Sequence, residues 1–217
     1  MPSFVEKAPE AVLAAAKKML ALGLVEGTAG NISARQEDGN VCITPSSIDY
    51  TEMRLEDLVV VNPAGQVVSG HRSPSSEKLL HLQCYAAFDD IGSVIHSHPV
   101  YATMFAVSHL EVPATIDEFA VYVGGDVRCT EYAMSGTEEL GQNAVKALDG
   151  RGAALIANHG MVAVGPNPDK VLHITALVER NAQIIFGASQ LGTVHPLPEE
   201  IQKKFSDLYV SWMRHHT

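Results

Sequence analysis

The chain has 217 residues, is 46% hydrophobic and carries a formal charge of −10, with a mean hydropathy of +0.06, which suits one folded domain with a sizeable core. No basic block offsets the acidic excess, so a nucleic-acid partner is excluded, and any bound phosphate must be held by backbone N–H groups, hydroxyls or a metal. The stretch from Met1 to Lys7 lacks a basic region followed by an apolar one, and no uncharged apolar run reaches the roughly 18 residues of a spanning helix, so no membrane partner and a cytoplasmic protein are expected.

Val12, Leu13, Ala16, Met19 and Leu20 recur at helical spacing between Pro9 and Leu22, with Gly23 as a stop. The small-residue stretch Gly27-Thr28-Ala29-Gly30-Asn31-Ile32-Ser33-Ala34 follows, where glycines free backbone N–H groups to approach a ligand. Val41 to Thr44 reads as a short strand entering the hydroxyl-rich turn Pro45-Ser46-Ser47. Leu58–Asn62 and Gln66–Ser69, separated by Pro63-Ala64-Gly65, read as a β-hairpin. Pro74-Ser75-Ser76-Glu77 then opens a helix through Ala87. Serines there cap the helix, and its free N–H groups and dipole also suit an anion.

The apolar run Ser93-Val94-Ile95 leads into His96-Ser97-His98-Pro99. Residues two apart on a strand share a face, so both imidazoles can converge on one ion, as half of a metal site. Tyr101–Val107 reads as a helix, and Phe119 to Gly125 as a strand preceded by Asp117-Glu118. A capping-box pattern, Ser135-Gly136-Thr137-Glu138, starts a helix to Leu148. The strand runs Ala153–Ala157 and Met161–Gly165 are broken by Asn158-His159-Gly160, which offers a third imidazole where the chain bends. Helices from Asn167-Pro168 to about Ala188 and from Glu199 to Trp212 close the chain. Cys42, Cys84 and Cys129 are odd in number, lack C-x-x-C spacing and read as buried reduced thiols. The alternation predicts a single α/β domain over 1–217, with a core at about 9–190 and a C-terminal helix at about 197–214. Its central sheet is expected to be mixed, largely antiparallel and flanked by helices.

Together Gly27 to Ser33, Thr44-Pro45-Ser46-Ser47, Pro74 to Glu77, His96 to Pro99 and Asn158-His159-Gly160 resemble, in order and spacing, the class II aldolase/adducin-head family from roughly Val12 to Ala188. That resemblance implies a metal-dependent lyase cleaving a deoxyketose 1-phosphate, such as L-fuculose 1-phosphate, into dihydroxyacetone phosphate and an aldehyde. It implies His96, His98 and His159 as zinc ligands, with Glu77 as a fourth ligand that leaves to act as base; manganese, iron or cobalt also suit such donors. It further implies a substrate phosphate pocket at Gly30, Asn31, Ser46, Ser47, Ser75 and Ser76, with Ser46-Ser47 replacing the family's Thr-Gly pair. A homotetramer with active sites at subunit interfaces is the family expectation.

The chemistry needs these residue types. Breaking the C3–C4 bond leaves an enediolate, which a Lewis acid stabilises while Glu77 exchanges the C3 proton. A Schiff-base route is disfavoured because the strand runs contain no lysine. Fuculose-cleaving members carry a tyrosine before the Gly-Gly step as the acid toward the departing aldehyde, where this chain has Asp117-Glu118. Either carboxylate serves as that acid if protonated, and otherwise the pair begins a helix or a salt bridge. Tyr209 is a further candidate for reaching a neighbouring site. The same scaffold also supports a ribulose-phosphate 4-epimerase, disfavoured because that group has Asp at the place of Glu77, a methylthioribulose-1-phosphate dehydratase, and a non-catalytic adducin-like interaction module.

Overall fold

The computed structural model describes residues 3–213. Seven strands form its sheet: β1 (Asn31–Arg35), β2 (Val41–Ile43), β3 (Val59–Val61), β4 (Val67–Ser69), β5 (Ser93–Ser97), β6 (Ala153–Ile156) and β7 (Gly160–Gly165). They lie in the order β4-β3-β2-β1-β5-β7-β6. Every ladder is antiparallel, and a parallel element enters through the Cys129↔Leu155 bridge. The helices are α1 (Ala8–Ala21), α2 (Lys78–Ala87), α3 (Val100–Val107), α4 (Asp117–Val123), α5 (Glu138–Ala147), α6 (Pro168–Leu191) and α7 (Glu199–Leu208).

The strand alternation divides the core in two. Ile32, Ala34, Ile95, Leu155, Met161 and Ala163 point to the face covered by α1, α3, α4 and α6. Ile43, Val59, Val94, Ile156, Val162 and Val164 point to the face covered by α2 and α5. The central strands are thus buried on both faces, although antiparallel sheets often leave one face wet. Each such buried aliphatic side chain contributes about 1.5–3 kcal/mol relative to exposure, so the middle of the sheet is a rigid platform. His96 and Asn31 are paired across β5 and β1, and they share the face of Val94, under α2.

Most elements lie where the sequence pattern puts them, and two differ. Phe119 to Val123 is helical rather than a strand. Phe119, Ala120 and Val123 are the buried positions, a helical spacing that the unbroken β-favouring run conceals. Asp117 and Glu118 occupy the helix's first turn, where their charge opposes the dipole's positive end, and Gly124 ends it at φ 91. The cap of α5 is displaced as well: Thr137, not Ser135, accepts from the Leu140 N–H at 3.3 Å. The last helix passes into a π-helical turn over Tyr209–Met213, and its expected end at 214 lies outside the described residues. All three cysteines are free, with Cys42 and Cys84 buried and Cys129 partly so. Among the described residues no helix is long and apolar enough to cross a membrane.

Candidate metal centre

β5 ends between β1 and β7 and delivers His96 into the protein with no solvent exposure. Its Nδ1 lies 2.9 Å from the Met161 carbonyl oxygen. A carbonyl only accepts, so Nδ1 carries a proton, and Nε2 is left to face inward. The rings of His98 and His159 lie 4.7 and 4.6 Å from that of His96, and 5.0 Å from each other. One ligating atom from each residue falls within 4.8 Å of the other two. Glu77 faces the same point, with Oε2 3.2 Å from His96 Nε2 and Oε1 3.6 Å from His159 Nε2. Three imidazoles and a carboxylate on one centre are a donor set for zinc and for the neighbouring divalent transition metals.

Different elements fix each ligand. The His98 N–H bonds to the Leu24 carbonyl at 3.2 Å. Immediately afterwards, the Glu179 carboxylate of α6 accepts from the Tyr101 and Ala102 N–H groups at 3.0 and 2.8 Å, anchoring the start of α3. His159 sits in the tight connection between β6 and β7. There Asn158 is left-handed at φ 56, and its Oδ1 accepts from His109 Nε2 at 2.7 Å. Asparagine tolerates that conformation better than most residues. Gly160 follows, and a Cβ there would lie 2.5 Å from the Ser97 carbonyl oxygen and 2.6 Å from His98 Cδ2. The ligands on β5 and in the β6–β7 connection therefore depend on a main-chain approach that only glycine permits.

Electrostatics set the donor states. Burial works to raise the Glu77 carboxyl, but the His96 hydrogen bond and charge, the Ser135 bond and the His159 charge outweigh it and hold the group well below the usual carboxylate range. Burial, reinforced by repulsion from His96 and His159, pushes His98 down to about 4. His159 is lowered chiefly by burial as well. Metal binds the neutral forms of such imidazoles beside an ionised carboxylate, and the lowering of His98 and His159 favours those forms.

His81, behind the centre, is pushed down to about 3 by complete burial and then by His96. For both His81 and His98 the unfolded chain takes up protons below about pH 6.5 that the native state refuses. Their contribution is therefore fully present above about pH 6.5 and is lost as pH falls toward 3–4. For His81 alone the loss is about 2 kcal/mol by pH 5. Melting of the metal-free protein between pH 7 and pH 5 is expected to show a falling Tm; a flat Tm would contradict the neutral burial of these rings.

Beside the metal centre lies a cavity of about 160 Å³ lined by Gly30, Asn31, Ser46, Ser47, Ser75 and Ser76 together with Glu77 and His98. All six residues expected at the phosphate end thus share one wall set with Glu77 and His98, two of the candidate metal ligands. Ser46 donates to the Pro74 carbonyl at 2.9 Å, and Ser75 accepts from the Glu77 N–H at 3.2 Å. Ser47 is left-handed at φ 58, which keeps the backbone form a glycine adopts freely at a strain of about 1–2 kcal/mol. Gly30 has φ 73, and a Cβ there would stand 2.8 Å from the His96 carbonyl oxygen.

Other expected residues are elsewhere. Glu118 pairs with Arg180 of α6 at 3.3 Å, with both side chains exposed, and Asp117 shares its helical turn, so the single chain does not join this pair to the histidines. Tyr209 is 1% exposed and packs against Gly124 and Gly152, which keeps it within its own chain. Sequence reasoning missed Ser135, whose hydroxyl donates to Glu77 Oε1 at 2.7 Å; its resemblance to a helix cap concealed it. It also missed the side-chain role of Asn31, which donates through Nδ2 to Glu77 Oε2 at 3.0 Å.

The chain is similar to known proteins over most of its length. The class II aldolase and adducin N-terminal domain family matches residues 10–186. A 5-deoxy-D-ribulose 1-phosphate aldolase of Bacillus thuringiensis serovar kurstaki is 37% identical over 205 residues, 92% of this chain and 96% of that protein. A 5-methylthioribulose-1-phosphate/5-deoxyribulose-1-phosphate aldolase of Rhodospirillum rubrum is 36% identical, covering 88% of this chain and 87% of that protein. The solved structure of an L-fuculose 1-phosphate aldolase superposes with a TM-score of 0.90 at 37% identity, over 96% of this chain and 98% of the other.

Proposed function

Since the chain belongs to the class II aldolase and adducin N-terminal domain family, we propose that it is a metal-dependent aldolase that cleaves a deoxyketose 1-phosphate into dihydroxyacetone phosphate and a short aldehyde. The observation that carries the reading is the convergence of His96, His98, His159 and Glu77 beside a small hydroxyl- and glycine-lined cavity. The similar proteins named for 5-deoxyribulose 1-phosphate favour that substrate, whose C3–C4 cleavage yields acetaldehyde. L-Fuculose 1-phosphate is the second candidate.

His96, His98 and His159 hold the metal, zinc in the first instance, with Glu77 as its fourth protein ligand. A divalent ion there supplies Lewis acidity toward the charge that develops on the substrate oxygens. Gly30, Ser46, Ser47, Ser75 and Ser76 receive the phosphate; Asn31 lines the same pocket, but its side-chain NH₂ is turned to Glu77 and its backbone lies opposite His96 in the β1–β5 ladder. Glu77, once it has left the metal, exchanges the proton at C3. The proton lost from the C4 hydroxyl balances the one gained at C3, so the cleavage needs no redox partner. In this reading the protein is a homotetramer, and Asp117 and Glu118 on α4 serve the aldehyde end of a neighbouring subunit's site. An apolar groove between α3 and α6, where Met104, Val107, Leu110 and Phe186 are exposed, supports self-association.

The test is release of dihydroxyacetone phosphate by zinc-loaded protein from 5-deoxyribulose 1-phosphate and, in parallel, from L-fuculose 1-phosphate. Release abolished by a chelator and restored by zinc is expected, faster with the five-carbon substrate. Metal-loaded protein that releases the triose phosphate from neither would refute the reading.

A further inference from the structure

Behind Glu77, α2 and β1 interleave their polar side chains along one seam. Residues four apart on a helix advance about 6 Å and residues two apart on a strand about 6.6 Å. The two spacings nearly match, so Glu77, His81 and Tyr85 of the helix side alternate with Asn31 and Ser33 of the strand. Each step is a hydrogen bond: Asn31 Nδ2 to Glu77 Oε2 at 3.0 Å, His81 Nε2 with Asn31 Oδ1 at 2.5 Å, His81 Nδ1 with Ser33 Oγ at 2.7 Å, and Ser33 Oγ with the Tyr85 hydroxyl at 2.8 Å. Ser33 and His81 have no solvent exposure, and Asn31 has 4%, so water does not substitute for any link.

The chemistry of the groups fixes the direction. A carboxylate only accepts, so Asn31 must present its NH₂ to Glu77 and its carbonyl oxygen to His81. The flipped amide would set two acceptors against each other at 3.0 Å. His81 Nε2 must then carry the ring proton. A neutral ring has one N–H, so Nδ1 is bare and accepts from the Ser33 hydroxyl. With its own proton committed, Ser33 accepts from Tyr85. Four donors point one way, toward a single carboxylate oxygen, and each bond polarises the next.

We propose that Tyr85, Ser33, His81 and Asn31 form a one-way hydrogen-bond relay that holds Glu77 in register with the three histidines, and that His81 is the positioning residue that keeps Asn31 in the orientation Glu77 requires. The relay stands on the geometry alone; what its loss does to turnover rests on the aldolase reading. Burial keeps the His81 ring neutral, in agreement with the single ring proton the relay requires. The second oxygen, Oε1, is held independently by Ser135, so the relay fixes one side of the carboxylate and leaves the other to a separate loop.

The test uses the full-length zinc-loaded protein labelled with nitrogen-15 histidine, the His81 signals being identified by their absence from His81→Gln. Long-range proton–nitrogen correlation is expected to show one neutral tautomer with hydrogen on Nε2, and Ser33→Ala to admit the second tautomer. Hydrogen on Nδ1 in the wild type would reverse the relay and overturn it. In the exchange of the C3 proton of dihydroxyacetone phosphate, His81→Gln is expected to lower turnover about 10- to 100-fold with the half-saturating concentration unchanged. Should that variant not fold, Tyr85→Phe, which removes one oxygen and keeps the ring, is expected to give a smaller fall in turnover alone. Unchanged turnover in the folded variants overturns the positioning role. A wild type without exchange refutes the aldolase reading instead, and the tautomer still decides the relay.

Discussion

Glu77→Gln is expected to keep the fold, the bound metal and the phosphate affinity while lowering C3 proton exchange about a hundred- to ten-thousandfold, the range removed with a general base. The amide has the shape of the carboxylate. Its oxygen can still accept from Asn31, and its NH₂ can donate to the Ser135 hydroxyl. Three histidine ligands remain, enough to retain a catalytic divalent ion. Isotope exchange between solvent and dihydroxyacetone phosphate measures the loss, and elemental analysis measures the metal. A variant that exchanges the C3 proton at the wild-type rate would remove Glu77 from the chemistry.

Gly160→Ala is expected to damage the metal centre without replacing any of its ligands. The added methyl would stand 2.5 Å from the Ser97 carbonyl oxygen and 2.6 Å from His98 Cδ2, closer than any stable contact. The backbone atom belongs to the central strand, so the His98 ring or the start of β7 must shift. Overpacking of this kind costs about 1–3 kcal/mol, and displaced ligand geometry lowers metal affinity about 10- to 100-fold. Thermal melting and competition with a zinc chelator read the two effects separately. Wild-type values in both would show that the close approach is not needed.

Much of the site was legible because its parts carry local signals. His96 and His98 announce a shared face by their spacing on an apolar strand, His159 stands at a break between two strand runs, and the Gly30, Ser46 and Ser75 turns each sit at an element boundary. Their convergence is a property of topology, which places β1, β5 and β7 side by side. The strand reading of Phe119–Val123 failed because β-branched and aromatic residues there satisfy a strand's preferences, while packing against α6 and α7 decides for helix. Ser135 was hidden by the better-known role of a serine before a helix. His81 was visible only as one more residue of an amphipathic helix. Its function becomes apparent when the four-residue step from Glu77 is set against the two-residue step of β1, an alignment that one element cannot disclose alone.

The sheet order has a consequence for how the molecule opens. β4 is an exposed edge strand, whereas β5 is bonded on both sides and covered on both faces. Amides at the edge can exchange through small local fluctuations, but those of β5 are released only when most of the protein comes apart. A metal bound as proposed would therefore leave and return while the strand that carries His96 remains ordered. In that respect the centre differs from structural zinc sites, whose domains lose their fold when the ion is removed.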